Sequence, residues 1–254
     1  MLNKLTQNKL AYFDLPIYYL SPRRVTKFLL SIIGLLFLGN IFERAITYWL
    51  NTKYNFDISP EYFHFDKESN FPSLYSGLAL GFSSLLLAIV ATFERATATK
   101  YAKDWKLLSF IFLYLAIDEV CQIHEQFNSL QKVIKAEGFL SFPWIIPASL
   151  LVIVFLIKFR KFIFSLPAKI KTLFILAGTV YVLGAIGVEI VGGYLADSYG
   201  LESIYYLIVS ITEELMEMFG VVIFINALLI YIKTKFSKLN IALYFQDSRK
   251  KLLK

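Results

Sequence analysis

Long apolar runs alternate with short polar or basic segments along most of this chain. Most of the runs hold about twenty residues, which is the length a helix needs to cross the roughly 30 Å hydrocarbon core of a bilayer. The pattern predicts an all-α fold, a polytopic transmembrane bundle of six helices. The predicted spans are approximately 25–50, 74–93, 107–126, 143–157, 172–195 and 208–232.

These spans divide the chain into three parts. Residues 1–24 mix aromatic and basic side chains and predict an interfacial N-terminal arm. Residues 25–232 form the six-span transmembrane domain, and residues 233–254 form a basic cytoplasmic tail. Before the second span, Asn70 is followed by Phe-Pro-Ser, which predicts a turn that leads into a helix start.

Composition supports a membrane protein over a soluble one. The chain is 57% hydrophobic and contains 24 Phe and 16 Tyr, more apolar than an ordinary soluble domain. Its net charge of +7 does not indicate nucleic acid as a partner, because the basic residues lie at span ends rather than on one soluble face. Cys121 is the single cysteine, which excludes an intrachain disulfide and a cysteine metal cluster.

The placement of basic residues predicts the orientation of the bundle. Most of the 26 Lys and Arg residues lie in the N-terminal arm, the tail and the two loops on the same side. The opposite loops hold Lys53, Lys67, Lys132 and Lys135. By the positive-inside rule, both termini are expected in the cytoplasm.

Acidic residues within the predicted spans are the strongest functional signal. They come late in the third and fifth spans and early in the sixth, so alternating span directions place them all in the extracytoplasmic half. A charge near the bilayer centre costs about 2.5–3.5 kcal/mol, and such residues need protons, a cation or a basic partner. Helical periodicity puts those of each span on one arc. The six acids are Asp118, Glu119, Glu189, Glu213, Glu214 and Glu217.

Other polar residues near the span ends are weaker candidates. Glu125 and His124 lie at the end of the third span, at the level of the lipid headgroups, and an ideal helix turns His124 away from the arc of acids on that span. His124 therefore joins the acids only if the helix end unwinds. In the first span, Glu43 and Arg44 are interpreted as a structural ion pair, and His64 in the following loop is expected at the surface.

The fifth span carries small residues at a regular spacing. Gly178, Ala185 and Gly192 recur every seven positions, and Glu189 lies on the same side of the helix. Small residues let helix backbones approach closely in lipid, so this stripe predicts a helix-packing face.

The side-chain types restrict the chemistry of the acidic layer, the layer formed by these six acids. Carboxylates with few histidines favour a hard or borderline divalent cation, Mg²⁺, Ca²⁺, Mn²⁺ or Fe²⁺. The di-iron signature Glu-x-x-His on two helices is not matched, because Cys121 precedes His124 by three residues and the sixth span has no histidine. The alternative without a metal is a set of protonated carboxyls that bond the helices together.

Three classes of function remain open. The first is a cation- or proton-coupled transporter or channel with the acids as its coupling site, although no inverted repeat is apparent. The second is a membrane-embedded, metal-dependent enzyme that acts on a lipid or quinone-like substrate. The third is an accessory or scaffold subunit whose acids pair with a basic partner; a protein partner or a homo-oligomer is therefore also open. The lipid bilayer is a partner in all three, and no catalytic residue can be assigned.

Four segments carry a resemblance to known proteins. FDKESNFPSLYS, DEVCQIHE, GVEIVGGY and TEELMEMFGVVIFINALL, in this order and spacing, resemble an uncharacterised family of multi-pass bacterial membrane proteins, cyanobacterial ones among them. The similarity covers about residues 60–232. The resemblance implies six spans in a bacterial plasma membrane and implies that these segments are important. Because the family has no assigned activity, it indicates no substrate.

Overall fold

The computed structural model describes residues 21–55, 60–67, 69–130 and 136–236. Within these ranges the chain is all-α, with six α-helices, short 3₁₀ segments and no strand. Most of the predicted interfacial arm, Lys132, Lys135 and most of the basic tail lie outside the described residues. The helices are α1 (Pro22–Tyr54), α2 (Phe71–Ala96), α3 (Ala102–Cys121), α4 (Ile145–Ser165), α5 (Ala168–Tyr199) and α6 (Ile204–Lys235).

Four of these helices, α1, α2, α5 and α6, are long and apolar enough to cross a membrane. The helices α3 and α4 have 20 and 21 residues, which is sufficient length, but charged side chains near their ends interrupt the apolar stretch. The number of helices agrees with the sequence prediction. Four of the helices have apolar stretches long enough for a membrane location. The arrangement of six spans stays a prediction.

The start of α2 is fixed by Asn70, as the sequence predicts. Its side chain accepts a hydrogen bond from the Ser73 N–H at 3.2 Å, and the Ser73 hydroxyl accepts one from the Asn70 N–H at 3.0 Å, forming a capping box. The Asn70 amide also donates to the carbonyls of Glu61, His64 and Lys67, at 3.2, 2.6 and 2.7 Å. One side chain therefore begins the helix and folds the preceding loop over it.

Consecutive helices run in alternating directions, which gives the bundle two chemically different ends. The acidic end contains the C-termini of α1, α3 and α5 and the N-termini of α2, α4 and α6; the basic end contains the opposite termini. The most buried apolar residues lie toward the basic end, where Trp105 makes aromatic contacts with Phe162, Phe174 and Tyr231. The acids of α6 lie on the other side of this core, toward the acidic end.

Helix α5 contains a π-helical segment, Leu183–Val188. The extra residue in a π turn rotates everything after it by about 100° relative to a regular helix. A Cβ added to Gly178, before the segment, would contact nothing within 4 Å, whereas Gly184 and Gly192 face α6. The predicted seven-residue stripe therefore does not form one packing face, and the closest backbone contacts use Gly184 and Gly220 of α6.

Candidate functional site

The end of α3 is unwound by its own acidic residue. Gln122 adopts a left-handed conformation (φ 56°, ψ 41°) and terminates the helix after Cys121. The chain then enters a 3₁₀ turn in which Asp118 Oδ1 accepts the His124 backbone N–H at 2.9 Å. Asp118 Oδ2 lies 2.9 Å from the His124 Nδ1. The end of α3 is therefore unwound, which is the condition under which His124 is expected to join the acids.

Trp144 connects this turn to α5. It lies directly before α4, and its ring centroid is 4.9 Å from that of His124. Its indole Nε1 donates a hydrogen bond of 3.3 Å to Glu189 Oε1. The Asp118–His124 pair and Glu189, which come from different helices, are thus joined through one tryptophan.

Glu189 and Glu213 form a direct carboxyl pair between α5 and α6. Glu189 is the first residue after the π-helical segment, and its carboxyl lies within hydrogen-bonding range of that of Glu213. Glu217 and Glu214 are close enough to act on Glu213 electrostatically. An ionised carboxylate only accepts hydrogen bonds, so a bond between two carboxyls requires a proton on one of them.

Two tyrosines extend the acidic cluster. The Tyr181 hydroxyl is hydrogen-bonded to Glu217, with Glu119 of α3 and Glu214 close enough to interact electrostatically. The second tyrosine, Tyr206, lies beside the Glu189–Glu213 pair and within electrostatic range of Glu125 and Asp66. Five of the six predicted acids, Glu119, Glu189, Glu213, Glu214 and Glu217, therefore lie around two phenol groups.

The geometry gives no direct sign of a bound metal. In the described part of the chain, no group of three or more His, Cys, Asp or Glu side chains is arranged to hold an ion. The closest contacts of the predicted acids are instead those of Asp118 with His124 and of Glu189 with Glu213. The divalent-cation site stays a prediction.

Glu43 and Arg44 each contact the loop that follows α1, and they do not pair with each other. Glu43 accepts the backbone N–H groups of Tyr62 and Phe63 at 3.1 and 2.7 Å, and Arg44 forms an ion pair with Asp66. Adjacent residues on a helix point about 100° apart, so each side chain reaches a different part of the loop. The expected Glu43–Arg44 pair is corrected to a two-point attachment of the loop to α1.

His64 is buried in this loop, contrary to its expected surface position. It is 7% exposed, because the Asn70 amide binds its carbonyl and draws the loop onto the start of α2. Its Nε2 lies 3.9 Å from Glu43 Oε2. Burial lowers the pKa of His64 below its usual 6.5 and positive Arg44 lowers it further, against opposing effects of Asp66 and Glu43.

A histidine with a lowered pKa makes the fold sensitive to acid. Above pH 6.5 His64 is neutral in both the folded and unfolded states; as pH falls through 6.5 toward the folded-state pKa, the unfolded chain binds the proton first. We therefore expect the melting temperature of the purified protein to fall between pH 7.5 and pH 5. His64→Gln is expected to lose part of this decrease. An identical pH dependence in the variant and the wild type would contradict the assignment to His64.

Three aromatic residues of the cluster were not indicated by the sequence. Trp144, Tyr181 and Tyr206 lie in apolar or interfacial stretches, where aromatic residues are common in membrane proteins and predict anchoring or packing. Their spacing from the acids gives no local signal, because each contacts carboxylates on another helix. Only the packing of α4, α5 and α6 reveals them.

Comparison with known proteins identifies a family and no activity. The family model described as "Domain of unknown function (DUF8692)" matches residues 28–232. No curated protein and no solved structure matches the chain. The matched region contains all six predicted acids as well as Trp144, Tyr181 and Tyr206.

Proposed function

We propose that this chain, which belongs to the DUF8692 family, is an integral membrane protein that binds protons in its acidic cluster and couples them to transport. The observation that carries the proposal is the carboxyl pair of Glu189 and Glu213, because a hydrogen bond between two carboxyls holds a proton. Intramembrane acids in series commonly serve as proton relays.

The order of the polar groups supports a route from one end of the bundle inward. The His124 and Asp118 side chains are 23% and 14% exposed and lie outermost. The Glu189–Glu213 pair follows, and Glu217 lies about 6 Å further along α6. These groups provide exchangeable protons from the surface to the middle of the bundle.

The apolar core closes this route on the other side. Leu87, Ile225 and Leu228 are fully buried beyond the acids. Coupled transport therefore requires α5 and α6 to move relative to each other. The π-helical segment Leu183–Val188 lies at their contact, directly before Glu189, and π segments are frequent at functional sites.

The proposal includes six spans and cytoplasmic termini, in a bacterial plasma membrane. Helices α3 and α4 are long enough to span, and their basic residues lie toward the basic end, where long side chains reach the headgroups. With this orientation the acidic end faces the outside.

The single cysteine offers a direct test of orientation. Cys121 is exposed at the acidic end of α3. We expect a membrane-impermeant maleimide to label it in intact cells, because this end faces outward. In a Cys121→Ser background, Lys100→Cys at the basic end is the matched control and should label only after permeabilisation. The reverse pattern would invert the proposed topology.

Proton flux in liposomes tests the function. With a pH gradient and a potassium diffusion potential, the reconstituted protein should acidify or alkalinise the lumen faster than empty liposomes. Elemental analysis of the same sample tests the alternative. A stoichiometric divalent metal, together with no proton flux under any gradient, would favour a metal-dependent enzyme over a proton transporter.

A further inference from the structure

A cavity of about 280 Å³ opens at the basic end, on the opposite side of the apolar core from the acidic cluster. The ends of α2, α3, α4 and α6 and the links between helices enclose it. The lining combines one carboxylate, one ammonium and four aromatic rings: Glu94, Lys235, Tyr101, Trp105, Phe162 and Tyr231. The cavity shares no residue with the acidic cluster, so it is a separate site.

Glu94 is a fixed negative charge in this cavity. It is 2% exposed, and its carboxylate accepts hydrogen bonds from the Tyr231 hydroxyl at 2.6 Å and from the Thr99 hydroxyl. Its cationic partner is Lys235, whose Nζ lies 2.9 Å from Glu94 Oε1. The Lys235 side chain is 46% exposed, so the anion is held in place while the cation can move into solvent.

Two aromatic rings at the cavity already lie close to lysine ammonium groups, and the Lys235 Nζ approaches Tyr231 at its hydroxyl edge, where it donates a hydrogen bond of 3.1 Å. The Lys235 Nζ lies 5.5 Å from the Tyr231 ring centroid, and the Lys100 Nζ lies 5.3 Å from that of Tyr101. Trp105, 1% exposed, packs 5.0 Å from Tyr231. Cations within about 6 Å of an aromatic face are attracted by the ring quadrupole, and such rings are how proteins recognise organic ammonium groups.

We propose that this cavity is a binding site for an organic ammonium group, and that Lys235 occupies the ammonium position when no ligand is bound. A cationic ligand that displaces Lys235 leaves buried Glu94 neutralised. An anionic ligand would place a second negative charge beside Glu94, which is costly in a desolvated site. The ammonium group comes either from a lipid headgroup at the membrane surface or from a free amine.

Fluorescence of Trp105 tests the proposal directly. The chain contains three tryptophans, so Trp49→Phe/Trp144→Phe leaves Trp105 as the reporter. In nanodiscs of phosphatidylglycerol, which has no ammonium group, tetramethylammonium should change the emission with saturation. Glu94→Gln should raise the Kd about tenfold or more. Lys235→Gln should lower the Kd severalfold, because it removes the internal competitor.

Two controls separate this site from general ionic effects. Sodium chloride at the same concentrations, and Glu202→Gln at the acidic end, should leave the titration unchanged. Nanodiscs containing phosphatidylethanolamine distinguish the sources: a headgroup ligand would raise the apparent Kd for tetramethylammonium, and a free amine as ligand would leave it the same.

Two results would overturn the proposal. One is the absence of a saturable response in both the wild type and Lys235→Gln. The other is weaker tetramethylammonium binding in Lys235→Gln together with a saturable response of the wild type to inorganic phosphate, which would make the cavity an anion site. Because the Lys235→Gln result is a gain in affinity, it remains decisive if Glu94→Gln does not fold.

Discussion

Replacing Glu213 with glutamine is expected to lower proton flux in liposomes on the order of 100-fold, the loss typical when a single proton-transferring group is removed. Glutamine preserves the size of the side chain and its capacity to hydrogen-bond Glu189 but neither binds nor releases a proton. The pair then has no exchangeable proton at Glu213, and the route from His124 to Glu217 is interrupted at its centre. Decay of an imposed pH gradient, followed with an entrapped pH-sensitive dye, measures the effect.

The control for this change is Glu202→Gln. Glu202 is an exposed acid at the same end of the bundle, just before α6, so its replacement removes a nearby charge without touching the cluster. It should retain wild-type flux. Full flux in Glu213→Gln would remove the carboxyl pair from the transport route, and wild-type flux that disappears with a metal chelator would point to a cation instead of protons.

A double substitution tests whether the two carboxyls act as one unit. Glu189→Gln alone should reduce flux about as much as Glu213→Gln, because each removes one half of the shared proton site. The combined variant should be little worse than either single one, since effects of groups that function together are strongly non-additive. Independent, multiplying losses would mean that Glu189 and Glu213 serve separate steps.

The apolar runs predict the six helices, and Asn70 predicts the start of α2. Helical periodicity predicts which face a single helix presents. It places Asp118 on the acidic arc of α3 but assumes that the helix continues to residue 126. The left-handed Gln122 ends the helix early, because Asp118 binds the next turn, and His124 consequently moves to the acids. The structure differs from the prediction here because of one hydrogen bond between the Asp118 side chain and the His124 backbone, which a periodic pattern cannot predict.

Contacts between distant segments explain the other differences. Glu94 belongs by sequence to a charged connector, and its partner Tyr231 is 137 residues away in an apolar run. Arg44 is adjacent to Glu43 in sequence and reaches Asp66 in space. In each case only the packed structure identifies the partner.

The contact between α5 and α6 brings their backbones close together at Gly220. A Cβ added at Gly220 would lie 2.9 Å from the backbone nitrogen of Tyr181 and 3.0 Å from the carbonyl oxygen of Ala177. Backbone atoms cannot rotate away, so α5 and α6 must separate. We expect Gly220→Ala to lower the free energy of unfolding by about 3 kcal/mol, the upper part of the usual overpacking range. Unfolding in mixed detergent and sodium dodecyl sulfate micelles measures this.

The matched control for Gly220→Ala is Gly178→Ala on α5. A Cβ at Gly178 would have no neighbour within 4 Å, so the substitution keeps only the helix-propensity gain of alanine, up to about 1 kcal/mol. Gly220→Ala is therefore expected to lower the free energy of unfolding and Gly178→Ala to raise it, because only the methyl group at Gly220 meets backbone atoms. The methyl group added at Gly220 also displaces Tyr181 and removes its bond to Glu217, so Gly220→Ala should reduce proton flux while Gly178→Ala preserves it. Equal stability of the two variants would show that α5 and α6 are not in close backbone contact.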